Sequence, residues 1–204
     1  MPSSVAYAAL AARVLARRPR LGAVRLVTVD GPAGSGKTTF AGRLHAALEA
    51  AAGAELPLVH LDDLYEGWAG LGGVAQRLED TVLAPLADGR TAHHPRWDWE
   101  HDAWGGTLRV DPAPALVVEG CGSGDRRVTA YAVLGVWVEA PSDLRLRRGL
   151  ERDGEGLRAE WLRWRELESA HFIAEGTRRR ADLRVDGAPP QGSGGDDVAV
   201  LLGD

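Results

Sequence analysis

Eight consecutive residues, Gly31-Pro-Ala-Gly-Ser-Gly-Lys37-Thr38, carry the clearest chemistry in the sequence. They fit the pattern G-x-x-x-x-G-K-[ST], in which glycines let the backbone wrap until successive N–H groups converge on phosphate oxygens. The residues that follow read as a helix, whose first amides and dipole favour an anion. Gly31, Ala33, Gly34, Ser35, Gly36, Lys37, Thr38 and Thr39 are therefore the candidate cradle for a nucleoside triphosphate. Lys37 is expected to reach the β- and γ-phosphates, and the Thr38 hydroxyl to supply one Mg2+ ligand. Lys37 is also the single lysine, against 23 arginines. A compact ammonium is wanted there, not a planar guanidinium.

Two acidic residues end short apolar runs. Asp62 follows Leu58–Leu61, and Glu119 follows Leu116-Val-Val. A carboxylate at the end of a strand beside a phosphate loop is placed to take a proton from an alcohol, or to hold a magnesium shell. A turn cap is the plainer alternative for Asp62. Arg145, Arg148 and Arg152 fall at i, i+3 and i+7, on one helical face, where they would offset phosphoryl charge. Glu151 and Asp153 could instead pair with them on a solvated surface.

In order along most of the chain, these segments resemble the uridine kinase family and the wider group with pantothenate kinase and phosphoribulokinase. Leu61-Asp62-Asp63-Leu64-Tyr65 is similar to that family's Asp-x-Phe-Tyr element, which implies that Asp62 is the base and that Tyr65 lines the acceptor pocket. Leu116-Val-Val-Glu119-Gly120 resembles its Glu-Gly strand end, and residues 145–153 resemble its arginine-bearing lid, with Arg148 and Arg152 as catalytic candidates. Trp97, Asp98 and His101 stand where the family carries a substrate-binding segment. Thr177-Arg-Arg-Arg-Ala-Asp182 resembles its step into the last strand. The resemblance implies ATP and Mg2+, and a small-molecule acceptor with a hydroxyl group. The family's ribose-binding Asp has no counterpart in Glu66–Gly73, where Trp68 is a candidate cover for the acceptor. GPAGSGKT also resembles the opening loop of cytidylate kinase, which would ask Arg96, Arg126 and Arg127 to hold a substrate phosphate. A zinc site from His93, His94 and His101 is a further alternative, as is a nucleotide-binding regulatory module without transfer activity.

The elements that must position these groups alternate. Strands are expected at 24–29, 58–61, 115–118, 133–138 and 183–185. Helices are expected within 1–20 and at 37–52, 74–87, 143–152 and 157–175, with a short closing helix at 196–202. Trp161 and Trp164 fall on one face of the 157–175 helix, the default face for packing. Residues 187–195 are flexible in composition. The pattern predicts one α/β domain over 1–204, a three-layer P-loop sandwich with a mostly parallel sheet of about five strands and an arginine-bearing helical lid.

Bulk properties narrow the class. A length of 204 residues suits one domain, and a net charge of −5 disfavours nucleic acid. The lone Cys121 allows no internal disulfide, so a cytoplasmic protein is expected. No apolar run approaches membrane-spanning length, and there is no Asn for a guanine-reading Asn-Lys-x-Asp element. Composition leaves the oligomeric state open.

Overall fold

The computed structural model describes residues 3–190 and 195–203. In chain order the first elements are β1 (Ser4–Ala6), α1 (Tyr7–Ala16), β2 (Arg25–Asp30), α2 (Lys37–Ala52), β3 (Leu58–His60), α3 (Leu71–Leu78) and α4 (Ala84–Ala87). A hairpin of β4 (Ala92–Asp98) and β5 (Ala103–Val110) follows, then β6 (Ala115–Glu119), α5 (Arg126–Thr129) and β7 (Ala132–Glu139). The chain continues through α6 (Ser142–Asp153), α7 (Arg158–Glu175), α8 (Thr177–Arg180), β8 (Leu183–Asp186) and β9 (Val198–Val200).

Five of the strands form one sheet in the order β3-β6-β2-β7-β8, and every pairing in it is parallel. Residues alternate across it with the period of two that a strand imposes. Leu116 and Val118 of β6 pack with Leu26, Val74, Leu78 and Val128 on one face. Ala115 and Val117 pack with Val27, Val29, Phe40 and Leu44 on the other. Helices on both faces of a parallel sheet make the three-layer α/β sandwich that the alternating pattern predicts.

The register decides where the chemistry lands. Glu119 pairs with Val29 of β2 and with His60 of β3, so three strands end at the same level. The phosphate loop leaves β2 there and Leu61-Asp62 leaves β3 there, at the carboxyl edge where open parallel sheets bind ligands. α2 runs from the loop with Phe40, Leu44 and Leu48 buried along one stripe. It stops at Gly53, whose left-handed backbone donates its N–H to the Glu49 carbonyl.

Three expectations need correction. The closing segment is not a helix: Val198–Val200 is β9, antiparallel to β1, with Ser4 opposite Val200. A short apolar run cannot be assigned from periodicity, and a partner strand nearly a whole chain away decides it. The N-terminal helix is shorter, because Ser4–Ala6 is strand and the helix ends before Pro19. The expected 74–87 helix starts at Leu71 and contains a π-helical turn at Glu79–Leu83. Of the segment 187–195, residues 191–194 lie outside the described residues. Gly187 is anchored, its N–H donating to Glu139 O at 2.8 Å. No helix among the described residues is long and apolar enough to cross a membrane.

Candidate active site

The loop after β2 turns at Gly31, with φ 144°, where an added Cβ would lie 2.0 Å from the Val138 carbonyl oxygen. Only glycine fits that approach. Gly36, at φ 96°, stands at the N-cap of α2 and offers no side chain to cap it. The first-turn amides therefore lack both a side-chain cap and intrahelical acceptors, and they open onto a cavity lined by Gly34, Gly36, Lys37, Thr38 and Thr39.

Lys37 is buried, and its ammonium donates to Pro32 O at 3.0 Å and to Cys121 Sγ at 3.5 Å. Burial alone would lower its pKa, but the carboxylates of Glu119, Glu168 and Asp30 raise it and keep the amine charged. Burial pushes the Cys121 thiol up, so it is a neutral neighbour.

Asp30 is a functional residue that the motif does not reveal. Its carboxylate accepts from the amides of Gly31 at 2.7 Å, Gly122 at 3.0 Å and Gly124 at 2.7 Å, and so ties the phosphate loop to the turn after β6. Burial pushes its pKa up to about 6, against the pull of those amides and of Lys37.

Thr38 donates its hydroxyl to Glu119 Oε1 at 3.1 Å, and His60 Nδ1 lies 2.7 Å from the same oxygen. The hydrogen bond to Glu119 raises the His60 pKa against the opposing effect of burial. A hydroxyl and a carboxylate are the hard oxygen donors that Mg2+ takes, so this pair fits that ion. Nothing in the linear pattern singles out His60, because its partner lies on another strand. Asp62 opens to the cleft, yet the surrounding protein desolvates its carboxyl, and with Glu119 nearby its pKa is raised. Trp99 donates its indole N–H to the main-chain oxygen of Asp62 at 2.9 Å and steadies that turn.

Helix α6 crosses the phosphate loop at close range: a Cβ on Gly34 would lie 2.5 Å from Arg145 O. Its three arginines differ. Arg148 donates to Gly34 O and Gly187 O, both at 3.2 Å, and Arg152 pairs with Asp153 at 2.7 Å; both line the cavity. Arg145 turns to Glu168 of α7 at 2.9 Å. Glu168, itself buried, accepts from the Ala33 amide at 2.7 Å. This pair locks α6, α7 and the loop together. Glu168→Ala is expected to cost about 3 kcal/mol, since a largely enclosed guanidinium loses its counter-charge and keeps only the Ala33 carbonyl. Urea unfolding of the variant beside the natural chain measures it, and a loss below about 1 kcal/mol would mean that the contact is solvated.

The cavity is about 910 Å³. Its outer end is walled by Tyr7, Arg43, Val185, Pro189 and Val198–Val200. Its inner end holds Asp62 and Glu119 among Tyr65, Trp68, Trp99, Trp161 and Trp164. Trp97, Asp98 and His101 do not line it. Trp97 is buried in the hairpin against Trp104, with ring centroids 4.9 Å apart. Asp98 anchors the hairpin turn, accepting from the amides of Glu100 and His101 and from the His101 ring at 2.9 Å. Trp97 is packed inside the hairpin, and β4 ends at Asp98, so Trp99 is free of the strand's alternation and faces the cavity.

The remaining candidates are elsewhere. His93 is exposed and His94 buried, on opposite sides of β4, so they do not converge. Arg96, Arg126 and Arg127 pair with Asp63, Glu175 and Glu79 outside the cavity. Gly31 and Ser35 stand behind the lining of the loop, with Ser35 fully buried.

No family model matches the chain, and no curated protein matches it in sequence. Solved structures are similar in shape. A provisionally named uridine kinase from Bacillus stearothermophilus superposes with a TM-score of 0.64 at 19% identity, covering 87% of this chain and 96% of that one. A provisionally named fructose transport system kinase from Silicibacter sp. TM1040 does so with a TM-score of 0.61 at 22% identity, covering 88% and 98%. The chain therefore shares its α/β fold with these two structures.

Proposed function

We propose that the protein is a small-molecule kinase that transfers the γ-phosphoryl group of ATP to an acceptor hydroxyl. The observation that carries this reading is the convergence, in one cavity, of an uncapped helix start, a buried charged Lys37, the Thr38–Glu119 pair and the open carboxyl of Asp62. A binding site for phosphate alone needs no carboxylate of raised basicity beside it.

Each residue then has a task. The amides of Gly34 to Thr39 and Lys37 bind the β- and γ-phosphates. Thr38 and Glu119 would hold Mg2+, which when bound neutralises charge on the phosphate oxygens. Asp62 accepts the proton of the acceptor hydroxyl as that oxygen attacks phosphorus and ADP leaves. Arg148 and Arg152, on the helix above, offset charge on the moving phosphoryl group. The apolar outer wall of Val185, Pro189 and Val198–Val200 suits the nucleoside end of ATP.

The test is Mg·ATP-dependent ADP release over a panel of hydroxylated compounds, with a no-acceptor control. Acceptor-dependent acceleration is the expected result. Tight ATP binding with no acceleration by any alcohol would make the chain a nucleotide-binding module instead.

A further inference from the structure

We infer that the acceptor is a small alcohol carried on an aromatic or other apolar ring, and that nucleosides, sugars and choline-like ammonium alcohols are poor substrates. This rests on the transfer reading above for the reaction, but its support comes from the walls of the inner cavity alone.

Those walls present ring carbon. Trp68 stands edge-to-face against Trp99, Trp161 and Trp164, with centroids 5.7, 6.2 and 6.2 Å away and interplanar angles of 73°, 65° and 81°. Tyr65 meets Trp164 at 4.9 Å and 65°. Mutually perpendicular indoles make a corner rather than a flat shelf, and a ring entering it finds one face and one edge to contact. Trp161 and Trp164 are 2% and 5% exposed, so the back of the corner is packed in place before anything binds.

Three of the five polar handles of these rings, those of Tyr65, Trp99 and Trp161, are already used. Tyr65 donates its hydroxyl to Cys121 O at 2.8 Å. Trp99 donates to Asp62 O, and Trp161 donates to Asp153 Oδ2 at 3.0 Å. The Trp164 indole nitrogen is buried without an acceptor among the described residues. Thr38, whose hydroxyl is held by Glu119, borders this end, and no Asn, Gln or Ser side chain lines it among the described residues. Of the charged groups bordering it, Asp62, Glu119, Arg148 and Arg152 belong to the transfer, and Asp153 is held by Arg152 and Trp161.

A nucleobase edge or a row of sugar hydroxyls placed here would give up more bonds to water than the few donors at this end replace, each unreplaced bond weakening binding roughly 10-fold or more. An alcohol with an apolar ring gives up none beyond the single hydroxyl that Asp62 receives. Arg152 lies over the Trp161 ring at 5.8 Å, so a cation already occupies that approach and repels an ammonium group.

The experiment compares 2-phenylethanol, uridine, fructose and choline in two readouts. One is ADP release with Mg·ATP. The other is quenching of intrinsic tryptophan fluorescence without ATP, which reports binding whether or not transfer occurs. We expect 2-phenylethanol to saturate both at a concentration at least about 10-fold below the other three. Trp68→Ala should raise its KM about 10-fold with a smaller change in kcat. Trp99→Ala, at a ring 43% exposed, should also raise KM without disturbing the core, and should lower kcat as well because the bond that steadies Asp62 is lost.

Preference for uridine, fructose or choline in either readout overturns the inference, and so does a KM unmoved in both variants. Absence of quenching by 2-phenylethanol also overturns it. If 2-phenylethanol quenches selectively but no alcohol releases ADP, the pocket chemistry stands and the kinase reading fails. If a sugar or nucleoside drives ADP release, the kinase reading stands and the pocket chemistry fails.

Discussion

Lys37→Ala is expected to lower acceptor-dependent ADP release at least about 10³-fold, the scale lost when a charge that stabilises a moving phosphoryl group is removed. The ammonium is enclosed at 8% exposure and kept charged by the carboxylates around it. Few other cations reach the same point. Arg148 is bound to the carbonyls of Gly34 and Gly187, and Arg145 to Glu168. Lys37→Arg should fail nearly as badly. The pocket bounded by Pro32 O and Cys121 Sγ admits a compact donor, whereas a planar fork would displace one of them. Single-turnover rates with circular dichroism as a folding check measure both variants. More than a tenth of the natural rate in the folded Ala variant would sink the kinase reading.

Asp62→Asn should lower kcat by about 10²- to 10⁴-fold while leaving the KM for ATP nearly unchanged. The substitution is close to isosteric, and the contact that steadies the turn goes from Trp99 to the main-chain oxygen of residue 62, which Asn retains. Fold and nucleotide site therefore stay as they are, and the loss isolates the proton transfer. Desolvation and the nearby Glu119 make this carboxyl more basic than an ordinary aspartate, the direction a general base requires. A pure loss of ATP affinity with kcat intact would assign Asp62 to nucleotide binding instead.

The parts legible in the sequence are those in which neighbours along the chain act together. The loop from Gly31 to Thr38 is one such part, and the strands β2, β3, β6, β7 and β8 appear within a residue or two of their expected spans. The central strands β2, β6 and β7 are β-branched or leucine runs left nearly unbroken by burial on both faces, whereas the edge strands β3 and β8 are shorter and half-buried. The hairpin is hidden for the opposite reason: β5 is exposed along nearly its whole length and carries Gly105-Gly106, so it has no alternation to read.

In the site, the residues that the sequence conceals act across long separations. Asp30 reaches Gly124, and Glu168 reaches Ala33. His60 meets Glu119 because two parallel strands share a register. A linear pattern holds none of these meetings. The aromatic corner is concealed for a related reason: Trp161 and Trp164 fit an ordinary packing face, and only the position of Trp68 turns that face into a wall.

The pairing of β1 with β9 has a consequence for how the molecule assembles. Ser4 meets Val200 only after nearly the whole chain has been drawn into place, and the entropy of closing so long a loop offers no early reward. The parallel sheet and its helices can form without it, and this short ladder is expected to form last. Val198–Val200 also walls the outer end of the cavity, so the late-forming piece is the one a bound nucleotide would touch. Saturating ATP should therefore slow hydrogen exchange at the Ala6 and Val198 amides before it changes exchange in the central strands, because local opening there is the first to be suppressed by ligand.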